Sequence, residues 1–189
     1  GKYKGRKLVT VPDNSVRPAT DRVKGAIFNV LQSRVNWNTA RVLDLYAGSG
    51  SVGIEALSRG AVNCIFVEKS RAALTFLKAN IATIGADADA NVVYGDVDSF
   101  IESTRTKYTV VFADPPYALE ALKRIPNVIF KKDIVAEDGY LIIEHPARYE
   151  FENNGSWDVA VHKTYGIPPS RSSNTSRMLY ENCNLSRYI

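Results

Sequence analysis

The sequence has only two cysteines, Cys64 and Cys183, and neither belongs to a Cys-x-x-Cys pair. That argues against a disulfide framework or a zinc site, and it fits a reducing compartment. Long apolar runs are lacking too: none approaches the ~20 residues of a membrane span. No charged-then-apolar segment opens the chain, so a cytoplasmic protein without a membrane partner is expected. Internal repeats and low-complexity tracts do not occur, which leaves an ordinary globular body of one domain with a small appendage. Hydrophobic residues make up 45% of the 189, enough to build a core unaided by metal or disulfides.

Charge of one sign is in excess at one place only. The net charge is +4. Residues 1–24 carry +5, from Lys2, Lys4, Arg6, Lys7, Arg17, Arg22 and Lys24 against Asp13 and Asp21, and the rest of the chain carries −1. A basic arm on a near-neutral body reads either as a contact surface for a polyanion or as a solvated tail. Within it, Lys7–Val11 has the composition of a short strand. A helix is expected from Thr20 to about Arg34: Thr20 suits the N-cap, Asp21 suits the positive helix end, and Val23, Ile27, Val30 and Leu31 form an apolar stripe.

From Arg41 strands and helices alternate. Strands are expected at Val42–Tyr46, Cys64–Glu68, Asn91–Tyr94, Tyr108–Ala113, Gly139–Glu144, Trp157–His162 and Met178–Cys183. Helices are expected at Gly50–Ser58, between Ser70 and Gly85, at Asp96–Ser103 and across Ala118–Glu137. The pattern predicts an α/β fold with a parallel sheet covered on both faces, whose ligands sit at the carboxyl ends of the strands.

The unusual residues fall at those strand ends. The first strand runs into Asp44-Leu45-Tyr46-Ala47-Gly48-Ser49-Gly50, with Gly53 completing Gly-x-Gly-x-x-Gly, and the second ends in Glu68 followed by Lys69. Such a turn lets a ligand approach backbone at a helix N-terminus, and the acid can accept bonds from ribose hydroxyls. A nicotinamide dinucleotide is therefore one candidate. Asp44 favours another, because a carboxylate on an apolar strand repels a pyrophosphate and welcomes a cation. S-adenosylmethionine carries a sulfonium and an ammonium and no phosphate. Asp44 also suits the duller task of capping the turn. At the third strand end, Asp96 with Val97 suits either an adenine amino group or a helix cap.

The fourth strand ends Asp114-Pro115-Pro116-Tyr117. The prolines stiffen the turn and contribute carbonyls without competing donors. Asp114 and the Pro115 carbonyl together could accept both hydrogens of a planar amino group, drawing its nitrogen toward a tetrahedral shape, while Tyr117 stacks on the base. An ordinary Pro-Pro strand terminator is the alternative. Glu144 and His145 at the fifth strand end could line a base pocket or simply end a strand. Cys64 has no activating neighbour, which argues against a cysteine nucleophile.

These residues resemble a known family. Asp114-Pro115-Pro116-Tyr117 after an apolar strand is similar to the amino-methyltransferase motif of class I S-adenosylmethionine enzymes. Arg17-Pro18-Ala19-Thr20-Asp21-Arg22-Val23-Lys24 with Ile27-Phe28-Asn29, then Leu43–Gly50 and Glu55–Gly60, resemble the bacterial RsmD family across most of residues 1–146. The resemblance implies a Rossmann-like methyltransferase sheet of seven mostly parallel strands, with a basic hairpin-and-helix extension over residues 1–35 and the catalytic domain over 36–189. It implies S-adenosylmethionine held by Asp44, Tyr46, Ala47, Gly48, Ser49, Gly50, Gly53, Glu68, Lys69, Asp96, Val97 and Asp114. Catalysis would fall to Asp114, Pro115, Pro116 and Tyr117, and RNA contact to Lys4, Arg6, Lys7, Arg17, Thr20, Asp21 and Arg22. The implied reaction methylates N2 of one guanine in 16S ribosomal RNA, in a small-subunit particle, by a monomer without metal. Adenine N6 and a glutamine amide are other planar amines, and a nicotinamide oxidoreductase or a non-enzymatic RNA-binding module are the rival classes. Residues 167–176 depart from the short link expected before the last strand.

Overall fold

The computed structural model describes residues 1–9, 21–115, 119–146, 157–165 and 175–182. The chain forms two compact units, Gly1–Phe100 and Ile101–Ile189.

The first unit contains helix α1 (Asp21–Leu31), strand β1 (Arg41–Leu45), helix α2 (Ser51–Ser58), strand β2 (Asn63–Glu68), helix α3 (Arg71–Ile84) and strand β3 (Ala90–Tyr94), after which helix α4 (Val97–Ser103) begins. The strands are parallel in the order β3-β2-β1, with Asp44 opposite Phe66 and Glu68 opposite Tyr94. Val42, Leu43, Leu45, Phe66 and Val67 are all fully buried, as strands covered on both faces require. On α3, Ser70 accepts a bond from the Ala73 N–H at 3.2 Å, and Gly85 closes the helix at φ 66°. Its stripe of Ala73, Leu74, Leu77, Ile81 and Ile84 is buried. Helix α1 stops at Leu31, three residues before the expected end, and a turn follows. It buries Ile27, Phe28 and Leu31, with the Phe28 ring 5.4 Å from that of Trp37.

The arm is not a hairpin where it is described. Residues 2–5 turn and residues 6–9 form no strand. Among the described residues, the arm's hydrogen bonds to the body go to helices. Lys2 N–H donates to the Ser58 carbonyl at 2.6 Å, Tyr3 N–H to Ser58 Oγ at 3.0 Å, and the Arg6 guanidinium to the Thr83 carbonyl at 2.6 Å. Val9 bonds the side chain of Asn80 in both directions. Thr10 and Val11, the end of the expected strand, lie outside the described residues.

The second unit contains strand β4 (Tyr108–Ala113), helix α5 (Leu119–Lys131), strand β5 (Val135–Pro146), strand β6 (Trp157–Tyr165) and strand β7 (Thr175–Asn182). β4 and β5 are parallel, β7 is antiparallel to β5, and β6 is antiparallel to β7. Among the described residues, five strands, β1 to β5, therefore have a parallel neighbour. Helix α5 ends six residues before the expected Glu137. Asp133 takes a left-handed φ of 53°, which stops a helix, and Ile134 and Val135 then enter the core. β5 consequently begins at Val135 instead of Gly139, with Val135 opposite Tyr108. β7 begins at Thr175, so Thr175 and Ser176 of the unusual 167–176 stretch are strand, paired with Pro146 and His145. Residues 166–174 lie outside the described set.

Candidate active site

The loop after β1 is set by three left-handed residues, Tyr46 (φ 60°), Gly48 (φ 57°) and Gly50 (φ 80°). Glycine adopts this conformation freely. Tyr46 does so against a steric penalty, which marks the loop as a constrained segment. Gly50 is the N-cap of α2. Gly53 serves packing: a Cβ there would lie 2.6 Å from Cys64 Sγ and collide with the Phe66 ring, so only glycine lets α2 lie this close to β2.

Each glycine amide of the fingerprint has an acceptor within the chain. Gly48 N–H donates to Glu68 Oε2 at 2.8 Å, Gly50 N–H to the Ala47 carbonyl at 2.8 Å, and Gly53 N–H to Asp44 Oδ2 at 2.9 Å. Glu68 Oε1 also accepts the Ser70 N–H at 2.7 Å, so this carboxylate joins the loop to the start of α3. Asp44 and Glu68 are 4% and 8% exposed, with their charge compensated by backbone dipoles. The capping task read for Asp44 is thus present. A pyrophosphate here would meet two buried carboxylates and three occupied amides; a cationic group would meet the opposite field.

Around this core, Ala47 and Gly48 are buried and Ser49 is half-buried. Lys69 is exposed. Asp96 is exposed and caps α4, its Oδ1 accepting the Asp98 N–H at 2.9 Å, while Val97 is 4% exposed. Tyr94, 56% exposed, carries the Arg71 guanidinium 5.4 Å above its ring, with a bond from Arg71 Nε to the phenol oxygen at 3.2 Å. Cys64 is fully buried; burial, aided by the negative charge of Asp44, pushes its thiol well above the usual range, so no thiolate is available.

The structure adds a residue that the sequence reading missed. Asn80 of α3 is fully buried, and its Nδ2 donates to the Ser49 carbonyl at 2.9 Å and to the Val9 carbonyl at 2.8 Å. A polar residue on the apolar face of α3, flanked by Leu77, Ile81 and Ile84, was the available signal. Between the arm and the helices lies a cleft of about 780 Å³ lined by Tyr3, Lys4, Arg6, Lys7, Lys24 and Ser49 among others. Lys4, Arg6 and Lys7 are exposed. Asp21 and Arg22 lie in the first turn of α1, their side chains outside the described residues, as are Arg17 and Thr20 entirely.

In the second unit, Asp114 follows β4 and is exposed, and Pro115 is buried. Pro116 and Tyr117 lie outside the described residues. Glu144 and His145 in β5 are 8% and 0% exposed. No cluster suited to a metal ion occurs among the described residues, and among them no helix is long and apolar enough to cross a membrane.

Comparison with known proteins bears on this arrangement. A family model described as conserved hypothetical protein 95 matches residues 1–170. The ribosomal RNA small subunit methyltransferase D of Escherichia coli K12 is 37% identical over 172 residues, 88% of this chain and 83% of the relative. The chain belongs to the RsmD family. The Haemophilus influenzae protein of the same name is 29% identical over 185 residues, covering 96% of this chain and 91% of that one. The solved structure of Escherichia coli yhhF superposes with a TM-score of 0.82 at 31% identity, covering 96% and 94% of the two chains. A hypothetical protein from Thermus gives 0.79 at 29% identity, covering 96% of each. The fold is thus the Rossmann-like methyltransferase fold. Both the glycine loop and Asp114–Tyr117 fall inside the RsmD-family match, whereas residues 171–189 fall outside it.

Proposed function

We propose that this protein transfers a methyl group from S-adenosylmethionine to N2 of a guanine in small-subunit ribosomal RNA. The observation that carries the cofactor is the loop chemistry: two buried carboxylates, Asp44 and Glu68, hold the amides of Gly53 and Gly48. These residues fit a ligand with sulfonium and ammonium charges and reject a pyrophosphate, which disfavours a nicotinamide dinucleotide. When bound, the cofactor supplies an electrophilic methyl group on sulfur.

The chain's residues do the rest. Asp44 and Glu68 fix the loop and supply the negative field; Glu68 retains lone pairs for a ribose hydroxyl, since each oxygen accepts one backbone bond. Asp96 offers a second carboxylate oxygen beyond the one that caps α4. Asp114 and the Pro115 carbonyl accept the hydrogens of the target amine, which directs its lone pair outward, and Tyr117 stacks on the base. The amine's proton leaves through Asp114 or water. Lys4, Arg6, Lys7, Arg17 and Arg22 contact phosphates, and Thr20 and Asp21 belong to the same RNA-contacting segment. The assignment to RNA draws on the relatives' printed names and on the +5 arm.

The test is methylation of ribosomal RNA, free and in small subunits, from cells lacking the gene, followed by mass mapping of nucleosides. N2-methylguanosine at one site is expected. N6-methyladenosine instead would reassign the base. Asp114→Ala should lose about 100- to 1000-fold in single-turnover rate, the loss typical of one preorganised electrostatic group. It should still bind S-adenosylhomocysteine. A wild-type rate in that variant would show Asp114 to be structural.

A further inference from the structure

We propose that Asn80 is a positioning residue that joins the basic arm to the cofactor loop, so that seating the arm and binding the methyl donor form one linked equilibrium. The inference rests on the reading of the glycine loop as the cofactor site.

One buried amide makes three bonds to two segments. Asn80 Oδ1 accepts the Val9 N–H at 2.7 Å, and Nδ2 donates to the Val9 carbonyl at 2.8 Å and the Ser49 carbonyl at 2.9 Å. Both amide hydrogens and one oxygen lone pair are engaged, at a site with no solvent exposure. Ser49 lies between Gly48 and Gly50, the two left-handed glycines that shape the loop. If the arm lifts, Asn80 keeps an unpaired oxygen and an unpaired N–H inside the core. Unpaired buried polar groups are strongly disfavoured, so the side chain turns toward water and releases Ser49. If the loop shifts, the same amide is loosened from the other end.

Among the described residues, other arm contacts run to Ser58 on α2, Thr83 on α3 and Asp89. They hold the arm near the body; Asn80 couples it to the loop. Lys4 and Lys7 stand on the coupled segment and line the same cleft as Ser49. Linkage is reciprocal: if donor binding steadies the loop and thereby seats the arm, a polyanion that seats the arm tightens donor binding by the same factor.

The experiment uses the full chain, with S-adenosylhomocysteine as loop ligand and a single-stranded oligoribonucleotide as arm ligand. In the wild type, S-adenosylhomocysteine should slow hydrogen exchange at the Val9 amide, and the oligonucleotide should tighten its binding in calorimetry. Asn80→Ala, and Val9→Pro, which removes the N–H that Asn80 accepts, should each weaken S-adenosylhomocysteine roughly 2- to 10-fold, the size of one net hydrogen bond. The double variant should bind no more weakly than Asn80→Ala alone. In Asn80→Ala the oligonucleotide should no longer tighten binding, which a merely structural residue would not abolish. If Asn80→Ala fails to fold, Val9→Pro and the wild-type exchange decide. A Val9→Pro protein that binds S-adenosylhomocysteine as well as the wild type overturns this proposal alone. A wild type that takes no S-adenosylhomocysteine overturns the cofactor reading and the proposal with it.

Discussion

Asp44 is one side chain that serves the fold and, on the proposed reading, the ligand as well. Asp44 both accepts the Gly53 N–H and places a negative charge beside the loop. Asn at position 44 keeps an acceptor oxygen and removes the charge, so Asp44→Asn separates the two tasks. We expect it to fold and to bind S-adenosylhomocysteine at least about 10-fold more weakly, in line with the greater strength of charge-assisted bonds. Unchanged affinity by calorimetry would reduce Asp44 to a cap. Cys64 gives a pH test. Its thiol is held protonated in the folded state, above a reference value of 9.0. The unfolded chain therefore loses this proton first, and stability should fall as pH rises above about 9. Cys64→Ala should remove that part of the decline in denaturant titrations at pH 8 and pH 10. The folded protein should also resist alkylation at Cys64 at pH 8, read by peptide mass; rapid labelling there would contradict the burial described. Gly53→Ala places a methyl against Phe66 and Cys64 and should destabilise by about 1–3 kcal/mol, measured by denaturant midpoint.

Secondary-structure elements were readable in the sequence to the degree that their signals are local. Helix α3 announces itself by Ser70, Gly85 and an apolar stripe between them, and the structure keeps all three. The boundary between α5 and β5 was not readable, because the apolar Ile134-Val135-Ala136 continues a helical pattern and only the left-handed turn at Asp133 breaks it. Residues 7–9 of the expected strand at Lys7–Val11 form no strand, for a different reason. Val9 satisfies its backbone through Asn80, 71 positions away, and no local pattern encodes that pairing. The same limit applies to the loop: its acids and glycines are evident in the sequence, but their partners, Gly48 with Glu68 and Gly53 with Asp44, belong to the fold. For the arm, the structure refines which charges to test. Arg6 anchors to Thr83, so its removal loosens the arm as well as its field. Lys4→Gln with Lys7→Gln is the cleaner pair. It should weaken RNA binding and flatten the plot of log affinity against log salt by ~0.7 for every phosphate left unneutralised on single-stranded RNA. An identical slope would show that these lysines touch no phosphate.

Across the whole molecule, positive charge and cofactor chemistry are kept apart in sequence, with +5 in residues 1–24 and −1 in the remainder. On the proposed reading of the arm, polyanion affinity is altered there without changing the sign of the field at Asp44 and Glu68. Ligand binding should report on the fold by mass action. S-adenosylhomocysteine at 100 times its dissociation constant should stabilise the protein by about 2.7 kcal/mol. NAD at the same concentration should leave the melting curve where it was, and a shift with NAD would reopen the dinucleotide reading. The amides of Gly48, Gly50 and Gly53 have one more consequence, for turnover. Because the chain itself supplies their acceptors, these loop bonds do not depend on the methyl group and are kept when it has gone. The spent cofactor differs from the fresh one by that methyl and the charge on sulfur, while on the proposed reading its ammonium and ribose would meet the same surface. The enzyme is therefore expected to suffer strong competitive inhibition by its own by-product, so that the cellular ratio of fresh to spent cofactor sets the pace of modification.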